Sequence, residues 1–231
     1  MNNQNTAFNS SNIIPLAIVV GGIIIAMAVY LSMPKSPVTE NSKVTLIRSI
    51  DSSDHIFGNP AAKVVIVEYS DFDCGYCKTF NETLHQIIAN EGAQGDVAWV
   101  FRQFPLLEIH PNALSHARAT ECVAETAGND MFWKFETALF ANQPVDPAQY
   151  GLLAKEVGVT GDEFAKCYAN SASTSSTIQT RILSDRQNAL DIGAKGTPYS
   201  VILTTGKEPV VVSGGQSYEE MRQLVNQALD N

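Results

Sequence analysis

Cys74 and Cys77, in Cys74-Gly75-Tyr76-Cys77, carry the most chemistry in this chain by type and spacing. On one helical turn, two cysteines three apart can join as a disulfide with little rearrangement. An apolar, β-branched run at residues 64–69 (VVIVEY) precedes them, and helical spacing begins at Tyr76. The pair is therefore expected at the first turn of a helix that follows a buried strand. There the positive end of the helix dipole and the unsatisfied backbone N–H groups favour thiolate over thiol. A thiolate is the attacking species in disulfide exchange, and a low-pKa thiol is a good leaving group. The spacing predicts a depressed pKa for Cys74 and a buried, resolving role for Cys77. The competing readings are half a zinc site and a pair of inert core cysteines. Structural zinc generally takes four protein ligands. No second CxxC is present, and His55, His85, His110 and His116 show no paired ligand spacing.

Two further features fit a dithiol. Glu68 lies inside the apolar run, six positions before Cys74. A carboxylate buried in a strand is costly unless paired or neutral, and beside two thiols it could receive and return protons. The alternative is a solvent-facing position at a strand edge. Gly196-Thr197-Pro198 stands directly before a later apolar run. A cis bond there would leave the Thr197 backbone N–H and C=O free to pair with an extended peptide. Asp71 and Asp73 read as turn caps rather than a cation site, and Phe132, Trp133 and Phe135 as core packing.

The elements that must hold these residues follow from periodicity. Strands are expected at 64–69, 97–102, 199–203 and 210–212, with one short strand at 44–47. Helices are expected at 76–89, 110–126, 131–142, 150–157, 162–170, 174–190 and 218–229, the last capped by Ser217. The order is β-α-β, an all-helical insert at about 108–192, then β-β-α. That implies an α/β sheet with a parallel pair, a right-handed crossover and helices on both faces.

The chain has 231 residues, 24 acidic against 15 basic side chains, and a net charge of −9. That is one large domain, or a domain with an appendage. With 45% apolar and 17% charged residues it is not a disordered chain. An acidic chain without a Lys/Arg cluster is not built to bind nucleic acid. Residues 13–33 (IIPLAIVVGGIIIAMAVYLSM) carry no charge, and as a helix would cross about one hydrocarbon thickness. An uncleaved anchor, a cleaved signal peptide and a buried core helix are the readings. The apolar run continues past the small-x-small Ala26-Met27-Ala28, and no Lys or Arg precedes it, which favours the anchor. The chain is then organised as a tail at 1–12, an anchor at 13–33, a linker at 34–54 and a domain at 55–231. Lys35, Lys43 and Arg48 all follow the span. The positive-inside rule alone would leave the domain in the cytoplasm, against the redox chemistry.

The stretch EYSDFDCGYC at residues 68–77, the helical insert and the Gly-Thr-Pro before a β-β-α ending resemble the thioredoxin superfamily. More narrowly they resemble the DsbA-like thiol–disulfide oxidoreductases of bacteria. Further matches are residues 54–60 (DHIFGNP), 101–106 (FRQFPL) and 110–113 (HPNA), and the likeness runs from Ser49 to Leu229. It implies a thioredoxin fold with a helical insertion and an exposed, nucleophilic Cys74. Cys77 would be the resolving thiol, Pro198 the cis-proline facing the pair, and Glu68 the buried acid. It also implies protein substrates that are unfolded or misoxidised, a membrane redox partner, and no cofactor beyond the dithiol. The setting implied is single-pass attachment to the bacterial inner membrane, with the catalytic domain on the periplasmic, extracytoplasmic side. Gly75-Tyr76 with Thr197 is nearer to periplasmic isomerases than to the strong oxidase, so the direction of electron flow stays open. A reductase or isomerase kept reduced by a membrane donor, and a chaperone or Cu(I)-binding module, are the rival readings. Cys122 and Cys167 fall in the insert, 45 positions apart. Some members of the family have a structural bridge between insert helices; the alternative is two buried free thiols.

Overall fold

A computed structural model of the chain describes residues 44–159 and 162–230. The chain divides into units Met1–Val38 and Thr39–Asn231, and the described residues all fall in the second. The apolar run at 13–33 lies outside the described residues. Among the described residues no helix is long and apolar enough to cross a membrane.

Among the described residues five strands make one sheet: β1 (His55–Gly58), β2 (Val64–Ser70), β3 (Val97–Gln103), β4 (Tyr199–Thr204) and β5 (Val210–Ser213). Their order is β1-β3-β2-β4-β5. β2 and β3 pair in parallel from Val64 opposite Val97 to Ser70 opposite Gln103, and the other three pairings are antiparallel. The expected crossover is α1 (Gly75–Asn90). The insert holds α2 (Ala113–Ala127), α3 (Asn129–Ala141), α4 (Tyr150–Glu156), α5 (Asp162–Asn170) and α6 (Thr177–Asp191), and α7 (Tyr218–Leu229) ends the fold.

Alternation along the strands sends side chains to two cores. Val64 and Ile66 of β2, with Trp99 and Phe101 of β3, join Cys77, Phe80 and Leu84 of α1 in the larger cluster. Val67 and Tyr69, one position out of phase, meet Val100, Val201 and Ala189 on the opposite face. Glu68 keeps the parity of Ile66 and so points to the α1 side, the side of the cysteines. Because β2 is the central strand, the solvent-edge reading of Glu68 fails: the residue is 0% exposed.

Two expectations are corrected, and one element was not foreseen. Residues 44–47 are not a strand: Ile47 N–H bonds back to Val44 O at 3.0 Å, and this turn drops Val44 into the second core. Packing overrides β propensity there. Residues 44–54, expected within the linker, are fastened to the domain, with Arg48 reaching Asp54 at 2.6 Å and Asp185 at 3.2 Å. A first strand not foreseen, β1, lies at 55–58. Its four residues are too few to show a period, and β3 and the insert hold it, with Asn129 and Trp133 donating to Ile56 O.

Candidate active site

The chain leaves β2 through Asp71, whose Oδ1 accepts from Asp73 N–H at 2.8 Å and whose carbonyl takes Cys74 N–H at 3.1 Å. That turn delivers Cys74 as the N-cap residue of α1, in extended geometry and without a side-chain cap hydrogen bond. Its sulfur therefore occupies the place where a capping oxygen would meet the orphan N–H groups. No acidic residue lies in the first turn of α1 to offset the dipole. Cys77 sits one turn in, fully buried, and both residues are free thiols.

The surroundings separate the two sulfurs. The Cys74 thiol falls to about 5, chiefly because the Cys77 side chain hydrogen-bonds to it, with Thr197 and the backbone N–H groups of Cys77 and Tyr76 adding to the effect. Burial pushes Cys77 well above the ordinary thiol value, and the Cys74 hydrogen bond and the charge of Glu68 act in the same direction. Burial likewise lifts Glu68 to about 8, with Glu136 and Cys74 adding to it. Trp99 donates to Glu68 Oε2 at 3.0 Å, while Oε1 has no partner. A neutral carboxyl, a stabilised thiolate and a protonated buried thiol thus stand together.

Thr197 and Pro198 close the site from the loop before β4. The Thr197–Pro198 peptide is cis, as is Gln143–Pro144. Cys74 Sγ contacts Thr197 O at 3.5 Å, so this carbonyl is engaged rather than free. The Thr197 hydroxyl is buried and makes no hydrogen bond of its own. Pro198 O accepts from Gly214 N–H at 2.9 Å, and Gly215 lies against Tyr76 O and Pro198, where a Cβ would come within 3.5 Å of that oxygen.

Cys74 itself is only 6% exposed, not the open thiol expected. The cap position turns its sulfur inward beneath Thr197, and the neighbour Tyr76, at 78%, takes the exposed place. Cys122 and Cys167, the other pair, are joined by a disulfide between α2 and α5.

Sequence spacing missed the two histidines of the site. His110 Nδ1 meets Asp71 Oδ2 at 2.9 Å, and His116 Nε2 meets Asp73 Oδ1 at 2.9 Å. His116 continues to the Tyr150 hydroxyl at 2.5 Å, which meets Ser115 at 2.7 Å. Their partners lie on a different element, so no helical interval could show them; the only signal was two acids flanking the turn before Cys74.

A central parallel strand pair, a dithiol opening the crossover helix and a proline loop against it define a thioredoxin-like fold with a helical insertion. Residues 51–227 match the family model described as Thioredoxin, and the chain belongs to that family. Among solved structures it is similar to the thiol–disulfide exchange protein α-DsbA2 of Wolbachia pipientis, at 22% identity and TM-score 0.67, covering 81% of this chain and 94% of that one. It is also similar to oxidised BdbD of Bacillus subtilis, at 25% identity and TM-score 0.64, covering 77% and 94%. A curated relative, the Na(+)/H(+) antiporter NhaA 1 of Mycolicibacterium gilvum, is 30% identical over 184 residues, 79% of this chain. The chain spans 28% of that antiporter's length.

Proposed function

We propose that the chain is a protein thiol–disulfide oxidoreductase. The carrying observation is the placement of the dithiol: Cys74 caps α1 with its sulfur 3.5 Å from Thr197 O beside the cis Thr197–Pro198 bond, and Cys77 lies buried one turn in. A substrate thiolate attacks Cys74 of the oxidised pair, Cys77 leaves, and Glu68 supplies the proton that it takes up. In the reverse direction Cys74 attacks a substrate disulfide and Cys77, giving its proton to Glu68, resolves the mixed disulfide. Thr197 and Pro198, against the Cys74 sulfur, meet the substrate chain. No cofactor is needed beyond the dithiol.

Stabilisation of the reduced form by a low-pKa thiolate favours oxidation of substrates. The named activity of α-DsbA2, thiol–disulfide exchange, supports the same class of reaction. A second direction, isomerase or reductase kept reduced by a membrane donor, is favoured by Gly75-Tyr76 and Thr197. We assign no ion transport to this chain on the strength of its antiporter relatives. The substrates are unfolded or misoxidised proteins outside the cytoplasm, and residues 13–33 anchor the domain to the bacterial inner membrane from the periplasmic side. The Cys122–Cys167 bridge supports an oxidising compartment.

Reduced, unfolded ribonuclease tests the chemistry. The oxidised protein is expected to restore ribonuclease activity and C74S to give none; the isomerase reading instead requires rescue of scrambled ribonuclease. A wild-type protein that does neither refutes the proposal.

A further inference from the structure

Three residues carry the chain from β2 to Cys74, and three parts of the fold hold them. Asp71 Oδ2 accepts from Leu106 N–H at 2.7 Å and meets His110 at 2.9 Å. Phe72 O accepts from Gln143 Nε2, in the loop after α3, at 2.8 Å. Together with the Asp71 turn, these contacts fix the backbone path. The link from Asp73 to His116 of α2 is different, because it holds a side chain rather than the path. It is also the most deeply built of the three. His116 is 1% exposed and is backed by the buried Tyr150 of α4, which in turn meets Ser115.

The hydrogens of this chain of contacts can be assigned. Burial keeps His116 below the ordinary histidine value despite the pull of Asp73, so the ring is neutral and carries one N–H. Burial also keeps Tyr150 a phenol, and its hydroxyl donates to His116 Nδ1 while accepting from Ser115. That places the ring hydrogen on Nε2, aimed at Asp73 Oδ1. Asp73 Oδ2 is buried and has no partner among the described residues. The carboxylate therefore hangs on one side-chain donor, with acceptor capacity to spare.

A carboxylate one residue ahead of a helix cap is a rival for that helix end. Asp is among the strongest caps, and any anion near the N-terminus draws on the same dipole and the same orphan N–H groups. In this fold the cap position belongs to Cys74, and the N–H groups of Tyr76 and Cys77 favour its thiolate. A freed Asp73 carboxylate would compete for those donors and repel the charge on the sulfur, two effects of one sign. We propose that His116, its tautomer set by Tyr150, is a positioning residue that holds the Asp73 carboxylate off the N-terminus of α1 and so leaves that terminus to the Cys74 sulfur. The inference rests on the oxidoreductase reading, in which the Cys74 thiolate is the reacting species. By this contact α2 and α4 of the insert help to set how strongly the dithiol oxidises.

The test is the midpoint of Cys74 alkylation by iodoacetamide against pH in the reduced full chain, with the dithiol's equilibrium with glutathione at pH 7. H116F is expected to raise the midpoint by about one pH unit, the tenfold loss within reach of a competing anion at a helix end. The oxidant weakens by the same factor, about 30 mV. H116Q, whose amide can still donate to Asp73, stays near wild type. The deciding variant is H116F/D73A: with the carboxylate gone, midpoint and potential return to the wild-type values, and D73A alone does not raise the midpoint. A role confined to folding the turn requires the reverse, D73A failing as H116F does and the double variant no better. That result, or an unmoved midpoint in H116F, overturns the proposal. If H116F does not fold, Y150F, which removes the Nδ1 donor and keeps the imidazole, is read against Y150F/D73A in the same way. A wild-type protein that neither restores nor rescues ribonuclease overturns the oxidoreductase reading, a separable result.

Discussion

The division of labour between the two sulfurs comes from position rather than residue type. Both are cysteines on one turn, yet one caps the helix and the other lies beneath it. Because the Cys77 side chain is the largest influence on Cys74, C77A is expected to raise the Cys74 value markedly toward the ordinary thiol range of about 8.5, read by iodoacetamide alkylation against pH. A value unmoved in C77A would show that the backbone N–H groups suffice. Glu68 gives the opposite sign. Its carboxyl titrates near 8 when folded and at about 4.3 when unfolded. Between those values the native protein holds a proton that the unfolded chain releases, so stability falls as pH rises through that window. E68Q removes that slope. Urea denaturation of the oxidised protein should find E68Q level with wild type near pH 4 and more stable at pH 8 by on the order of 4–5 kcal/mol, the linkage value of that shift. A wild-type advantage at pH 8 would mean that Glu68 is ionised in the native state. The sequence disclosed the cysteines, the acid and the proline because their intervals fall along one strand–turn–helix or just before a strand. It did not disclose His110 or His116, whose partners come from distant elements.

Local periodicity was enough for nearly all the elements. The buried runs of β2 and β3 and the amphipathic α7, with its Ser217–Glu220 capping box, follow directly from pattern. What pattern could not supply is the anchoring of residues 48–54, which depends on a buried cation. Arg102 is 0% exposed and grips Asp54 with Nε to Oδ1 at 2.9 Å and Nη2 to Oδ2 at 3.0 Å, while Nη1 reaches the Tyr69 hydroxyl at 2.9 Å. On the sequence, Arg102 looks like the polar end of a strand. In the fold it ties β3 to the segment ahead of β1, and Asp54 stays below the usual carboxylate range as the guanidinium contacts outweigh its burial. R102M keeps the length and removes the charge, leaving Asp54 buried with Arg48 as its remaining cation. Loss of about 3–5 kcal/mol is expected in urea, together with early proteolysis before residue 55. Unchanged stability would mean that Arg48 alone can hold the segment.

At the scale of the molecule, α2 to α5 of the insert must keep their place in the core that holds Cys77. The Cys122–Cys167 bridge closes a 45-residue loop that contains α3 and α4. Loop-closure entropy puts the worth of such a cross-link at about 2–4 kcal/mol. A C122A/C167A chain is therefore expected to unfold at lower urea concentration by that amount, while its Cys74 alkylation profile stays that of wild type, since neither sulfur touches the site. The same pair reports on compartment, which neither the fold nor the opposed charge bias after residue 33 decides. In intact cells trapped with acid and then alkylated, Cys122 and Cys167 should resist maleimide unless reductant is added if the domain stands in the proposed extracytoplasmic setting, which is oxidising. Both thiols labelling without reductant in freshly trapped cells would place the domain in the cytoplasm and remove the setting in which Cys74 is to oxidise other proteins. Bridge present but dithiol trapped reduced would instead keep the domain outside and turn the direction of exchange toward isomerisation.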